Sequence, residues 1–392
     1  MRRYASSDSR LTSCSPVVTP AFRHASSTAP TVSHACGSET SNPPARSSAC
    51  TSAPSLRKRS TIAAPIPDAP PVTSAVRGNI GGYCRIRIAM TIPFTGVPLH
   101  ELGPLVRRID EAGYDSVWSA ESTEFDGFTP LVVAAEHSRR LRLATGIVNV
   151  YTRGPALLAQ TAAAVANVSN GRFVLGLGAS SNVIVEQWNG IPFRRPLAKV
   201  EETVAYVRTV LAGERGAGGF KLASPPHKPV PIVLAALRDR MLGLAARIAD
   251  GAFTNFLPLS RAAQVVDAFA RPEKELACRF FSIHGPENDA LAAAKRIFVA
   301  YATVPVYAEF FRWLGFYDEI NPVVEAWAAG DRKRALELAP EALVREIFLL
   351  GPVEAQRERL AEFARAGITT AVLALFCPPS ELTALIDAFA PD

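Results

Sequence analysis

The stretch Leu141–Asn182 constrains the fold of this chain most, because it reads as one complete strand–helix–strand unit. An apolar, β-branched run, Leu141–Val150, passes a Thr-Gly pair. Pro155 follows where a helix can use it, in a first turn that needs no amide donor. The Ala-rich helix stops at Ser169-Asn170-Gly171, a good C-terminal signal. A second buried run, Arg172–Leu177, ends in the glycine-bearing loop Gly176–Ser181. Short apolar runs joined by a crossover helix demand a parallel sheet covered on both faces. Ligands of such sheets bind where strands end and loops begin, which marks Gly146–Arg153 and Gly178–Asn182.

The same alternation continues on both sides. Strands are expected at Arg85–Ile92, Tyr114–Ser119, Pro231–Ala235, Gly251–Asn255, Leu276–His284 and Thr369–Phe376, with helices between them. Val304–Leu350 reads as several extra helices broken at Gly315 and near Pro322, Gly330 and Pro340. Eight strands alternating with helices fit a (β/α)8 TIM barrel with a helical insertion before strand eight. An open doubly wound sheet is the second choice.

Residues 1–80 are rich in Ser, Thr, Ala and Pro and have almost no aromatics. Such a segment cannot bury enough apolar surface to offset its ordering entropy, so a disordered tail is expected before a barrel domain at 81–392. The expectation is a non-functional extension, of the kind an over-long gene start leaves, with a targeting or interaction tail as the other reading. The tail also explains the charge. It holds nine Lys/Arg against Asp8, Glu39 and Asp68, an excess of six that equals the whole net charge of +6. The remainder is formally neutral, which removes the bulk signal for nucleic acid. The six cysteines form no CxxC pair, which speaks against a disulfide framework or zinc ribbon and for a reducing cytoplasm. No apolar run reaches the roughly 18–20 residues needed to span a bilayer.

On a barrel, the chemistry gathers at the loops leaving the strand C-termini. No HExxH, paired His and Cys, or GxSxG elbow is present, so metal hydrolysis and serine esterase chemistry are not expected, and no metal site is assigned. What the loops offer is anion binding. Gly178, Ala179, Ser180 and Ser181 are small enough to let a ligand near backbone amides, and Ala236-Leu237-Arg238-Asp239-Arg240 adds two guanidinium groups. A plain strand–helix turn and a solvated first helical turn are the structural alternatives. Glu121, Glu124 and Asp126 cluster after strand two, as acid–base candidates or as helix caps and ion-pair partners. His284 at a strand end is read as structural before pocket-lining.

Five phrases together resemble the luciferase-like monooxygenase superfamily, in its branch that uses the deazaflavin coenzyme F420. They are YDSVWSAES (114–122), LATGIVNVYTRGPALLAQTAA (143–163), SNGRFVLGLGASS (169–181), GIPFRRPLAKVEETVAYVRTVL (190–211) and VPIVLAALRDRMLGLAARIADGAFTNFLP (230–258). The resemblance runs from about Arg85 to the C-terminus. It implies a (β/α)8 barrel, usually a homodimer, with hydride transfer at the deazaflavin C5. It also implies a non-prolyl cis peptide at Gly146-Ile147 behind the ring, and phosphate binding by Gly178–Ser181 and Ala236–Arg240. Two positions depart from the superfamily's sugar-phosphate dehydrogenases, which carry a His after the acid and a Glu in the strand-four loop. Here those positions are Ser122 and Ala179, which argues against sugar-phosphate oxidation.

The sequence is therefore read as a cytoplasmic F420-dependent oxidoreductase acting on a small molecule, with neither nucleic acid nor membrane as partner. The ring is expected against Gly146, Ile147 and Val148, and the phosphate near Ser180, Ser181, Leu237 and Arg240. Glu121 and Glu124 are the expected substrate-contacting or proton-transfer residues, and the substrate is expected to enter beneath Val304–Leu350. An FMN-dependent monooxygenase on the same barrel, or a cofactor-binding barrel without turnover, are the rivals.

Overall fold

Eight apolar segments pair in parallel, each with the next in sequence, and the last pairs with the first to close a barrel. The computed structural model describes residues 86–391 apart from Ser122. The proposed tail at 1–80 and the expected strand start at Arg85 lie outside the described residues. In chain order the elements are β1 (Arg87–Thr91), α1 (Leu102–Glu111), β2 (Ser116–Ala120), α2 (Thr129–His137), β3 (Arg142–Asn149) and α3 (Pro155–Val168). There follow β4 (Phe173–Gly178), α4 (Pro196–Leu211), β5 (Ile232–Ala235), α5 (Asp239–Ile248), β6 (Gly251–Asn255), α6 (Ala262–Phe269) and β7 (Glu275–Ile283). After α7 (Glu287–Ala302) come the insertion helices α8 (Pro305–Trp313), α9 (Tyr317–Ala328), α10 (Arg332–Glu337) and α11 (Glu341–Ile347). Finally α12 (Val353–Arg365), β8 (Thr370–Phe376) and α13 (Leu382–Ala388) complete the chain. The expected (β/α)8 barrel and its insertion before strand eight are both present.

Local chemistry sets these boundaries. Pro155, Pro196 and Pro305 each open a helix, where the missing amide costs nothing. After α3, Gly171 adopts φ +75° and donates to the Ala166 carbonyl, closing the helix end. Pro322 does not break the chain as its residue type suggested. It lies inside α9, where fully buried Ile320 and Val323 hold the helix against the insertion core.

The barrel interior is built in tiers. At the level of Ala89, Ala144, Val233 and Ala277 the odd-numbered strands contribute small or medium side chains. The even-numbered strands place Trp118, Val174, Phe253 and Val372 among them, and the Trp118 and Phe253 rings stack at 5.2 Å and 17°. Beneath this tier, at the strand N-termini, Arg87, Arg142, Glu275 and Thr370 form a polar plug. Glu275 accepts from Arg87 at 2.9 Å, Arg142 at 2.8 Å and Thr370 at 2.7 Å. Above it, small Gly146, Gly176, Gly178 and Ala235 pack closely at the C-terminal mouth of the barrel.

One irregularity shapes that mouth. The β3–β4 register jumps from Ala144↔Val174 to Val148↔Leu177, so β3 carries one extra residue. Thr145 replaces the lost ladder bonds: its hydroxyl accepts from Gly176 N at 2.6 Å and donates to Gly176 O at 3.0 Å. A Cβ on Gly176 would lie 1.8 Å from the Thr145 carbonyl oxygen, so only glycine admits this bulge.

Candidate functional site

The bulge decides which β3 side chains face the mouth. An extra residue moves every later side chain to the opposite face. Ile147 and Asn149 therefore turn inward, whereas Val148 is fully buried in the shell between barrel and helices. Val148, expected at the ring, thus faces away from the cavity, and Asn149 lines it instead. The Gly146–Ile147 peptide is trans; the one cis bond among the described residues is Ile92–Pro93. The strained backing expected behind the ring is thus a bulge with an ordinary peptide bond. Gly146 meets the Phe253 ring, which a Cβ would approach to 2.8 Å.

A cavity of about 380 Å³ opens over this bulge, between the exits of β2, β3 and β4. Its inner wall includes Ile147, Asn149 and Ser180, and its acidic side Glu121, Glu124 and Asp126. Exposed Phe125, Leu157 and Trp188 give it an apolar rim. The Asn149 side-chain oxygen accepts from Tyr151 N at 2.8 Å, but its buried amide nitrogen has no partner among the described residues. Buried polar groups are normally satisfied, so this unmet donor makes Asn149 a candidate for ligand contact.

Both catalytic candidates lie on this cavity, in unequal circumstances. Glu121 is tied down: one oxygen accepts from Asn149 N at 3.0 Å and the other from Arg153 at 2.7 Å. Arg153 lies over the Phe128 ring at 5.2 Å and reaches Asp126 at 3.7 Å. Glu124 is exposed and makes no hydrogen bond or ion pair with any described residue, unlike Glu121. Asp126 anchors the start of α2. Burial opposes its charge, but bonds from the Thr129 hydroxyl and the Phe128 and Thr129 amides prevail and hold its pKa below the usual value.

Replacing Asp126 with Ala should cost about 1 kcal/mol at neutral pH, as for other lost helix-start acceptors. A depressed carboxyl stabilises above its unfolded pKa of about 3.9, and that contribution fades as pH falls through the lower folded value. The gap between wild-type and variant urea midpoints should therefore close near pH 2–3. A gap unchanged at that pH would assign the loss to something other than the carboxylate.

The expected phosphate loops do not meet in one cavity. Gly178 is crowded rather than open, since a Cβ there would sit 2.7 Å from Ile147 and 2.9 Å from Ala235. Ala179 is buried, and Ser180 takes a left-handed φ of 62° on the cavity wall. Ser181 starts a six-residue π-type turn, Val183–Trp188, whose winding the sequence did not reveal. Ala236 is buried and Leu237 half-buried. Arg240 borders a separate hollow of about 400 Å³ between α4 and α5, with Glu201 and Arg247. Arg238 turns to Glu309 of the insertion at 3.8 Å. His284 is structural: it bonds Ser282 at 2.7 Å and stands edge-on to Phe389, and burial lowers its pKa. Among the described residues no His, Cys, Asp and Glu side chains group closely enough to hold a metal, and no helix is long and apolar enough to cross a membrane.

An eight-stranded parallel barrel carries its sites at the strand C-termini, where this cavity lies over the bulged third strand. Residues 79–370 match the luciferase-like monooxygenase family, and the chain belongs to that family. A Mycobacterium tuberculosis protein provisionally named a coenzyme F420-dependent oxidoreductase is 27% identical over 332 residues, covering 74% of this chain and 94% of that one. The coenzyme F420-dependent tetrahydromethanopterin reductase of Methanopyrus kandleri superposes with a TM-score of 0.62 at 19% identity, over 78% of this chain and 97% of its own. An F420-dependent secondary alcohol dehydrogenase, solved with an F420–acetone adduct, gives 0.63 at 15% identity over 78% and 97%.

Proposed function

We propose that this protein is an oxidoreductase that transfers a hydride between the deazaflavin coenzyme F420 and a small organic substrate. The observation that carries the reading is the cavity over the β3 bulge, with apolar Ile147 and the unpartnered amide of Asn149 on its wall. That wall fits the group's chemistry: a flat heteroaromatic ring needs an apolar face and hydrogen-bond donors at its edge. Relatedness at 27% identity to an F420-named protein supports the choice of cofactor. When bound, the deazaflavin supplies a hydride donor or acceptor at C5.

The chain's own residues then divide the work. Ile147 and Gly146 back the ring, Asn149 meets its polar edge, and Ser180 with Ser181 meets the phosphate. Glu121 holds Asn149 and Arg153 in place through both oxygens. Glu124, free of partners, is the group left to contact substrate or move a proton. Phe125, Leu157 and Trp188 exclude water from the rim. Arg240 faces the other hollow and is left out of the ring and phosphate contacts.

Fluorescence titration of the purified protein with F420 and with FMN tests this directly. F420 should bind, and Asn149→Ala should weaken it by about tenfold, the value of a lost hydrogen bond in a dry site. Tight FMN binding without F420 binding would instead make this a flavin enzyme, since a ring nitrogen at position five opens oxygen chemistry that a carbon does not.

A further inference from the structure

One charge on the inner face of the barrel has no counter-charge among the described residues. Along β7, Glu275, Ala277 and Arg279 face inward in turn. Glu275 is matched by two arginines, and Arg153 elsewhere at the mouth by Glu121. Arg279 has no such match. Its guanidinium lies 4.7 Å over the Phe281 ring and makes no ion pair or hydrogen bond to any described residue. Its Nε is shut off from solvent without a partner. The inward residues of the same tier, Thr91, Gly146 and Ala235, are small, and the buried Thr91 hydroxyl is likewise unpartnered. Arg279 is half-buried; a guanidinium partly withdrawn from water with no carboxylate beside it is a site to which a ligand can bring the counter-ion.

The surroundings indicate what carries that ion. Arg279 pairs in register with Asn255, whose side chain lies 3.5 Å from the Tyr307 hydroxyl of α8. Burial raises the Tyr307 pKa to about 12, so that hydroxyl stays neutral, and it accepts from Asn255 Nδ2. Phe256, Phe281, Tyr301 and Tyr307 pack as an aromatic wall, with ring centroids 4.4 Å apart for Phe256 and Tyr301. These residues lie on the β6–β7 side and in the helices after β7, away from the residues that line the cavity over β3.

Resting on the oxidoreductase reading above, we propose that the substrate is an apolar carboxylate whose anionic group binds Arg279, with the Thr91 hydroxyl as a second donor. The aromatic wall receives its apolar body, and the cofactor occupies the β2–β4 side of the same mouth.

Calorimetric titration with benzoate and with its neutral isostere benzamide, with and without saturating F420, tests this. Benzoate should bind the wild type, and benzamide at least about tenfold more weakly. Arg279→Met should lose benzoate binding by a similar factor, keep F420 affinity within about threefold, and melt at a higher temperature without ligand, because a half-buried cation with no carboxylate beside it has gone. Arg279→Lys should retain part of the benzoate affinity. Benzoate binding that is absent from the wild type, or equal in wild type and Arg279→Met, would overturn the proposal. Loss of F420 affinity in a folded Arg279→Met would assign the cation to the coenzyme, and equally overturn it. Arg279-dependent benzoate binding by a protein that ignores F420 would leave this inference standing and remove the cofactor reading alone.

Discussion

Replacing Glu275 with Ala is expected to cost about 3 kcal/mol of folding stability at neutral pH, the lower end of the range for breaking a buried ion pair. The lower end applies because Arg87 and Arg142, with side chains 28% and 25% exposed, keep some water, and Arg142 keeps Asp115 at 3.3 Å. Burial by itself would raise the Glu275 pKa, but the two guanidiniums outweigh it and hold the carboxyl below its usual range. The stabilisation is thus complete above the unfolded pKa of about 4.3 and disappears as pH falls through the lower folded value. Urea unfolding at pH 7 and near pH 3 measures both. A variant as stable as wild type at pH 7 would mean the plug contributes nothing. Replacing Arg87, Arg142 and Glu275 together by apolar residues should recover much of the loss, since it leaves no charge stranded.

Gly176→Ala should be the more damaging change for function. The added methyl would collide with the Thr145 carbonyl at 1.8 Å, a backbone atom that cannot swing aside. The expected cost is about 3 kcal/mol, the upper end for overpacking, together with a displaced bulge. Because the bulge alone turns Ile147 and Asn149 toward the cavity, F420 affinity should fall even in the fraction that folds. Gly243→Ala is the control: it lies within α5 with nothing within 4 Å of the added methyl, and should stabilise by about 0.5–1 kcal/mol. A Gly176→Ala protein with wild-type melting and F420 titration would show that the bulge does not govern the site.

The eight strands and the insertion were legible because parallel strands buried on both faces read as short apolar runs, and because proline and glycine punctuate the helices. Pro322 misled because residue type marks a break only where packing does not oppose it. The site was half legible. Reasoning from strand ends singled out Glu121, Glu124, Ile147 and Ser180, and the structure gathers these four around one cavity. The facing of β3 was not readable, since one extra residue held by the Thr145–Gly176 bonds inverts the pattern that simple alternation gives. Arg240 lies apart from that cavity because helical phase, not sequence neighbourhood, sends it to the α4–α5 hollow. Arg279 looked like an ordinary residue of ELACRFFSI, and only the lack of a partner in three dimensions distinguishes it.

The polar plug also lies on the seam where the barrel is joined. Arg87 and Thr370 are 283 positions apart in the chain, yet they bond at 3.0–3.1 Å. Bringing ends that distant together costs on the order of 5 kcal/mol of chain entropy, so the β1–β8 joint is expected to form late. Contacts made after the folding barrier slow departure from the native state without hastening arrival. The Arg87–Glu275–Thr370 cluster therefore acts as a latch on the finished barrel: it governs how long the protein stays folded and leaves the speed of folding almost untouched.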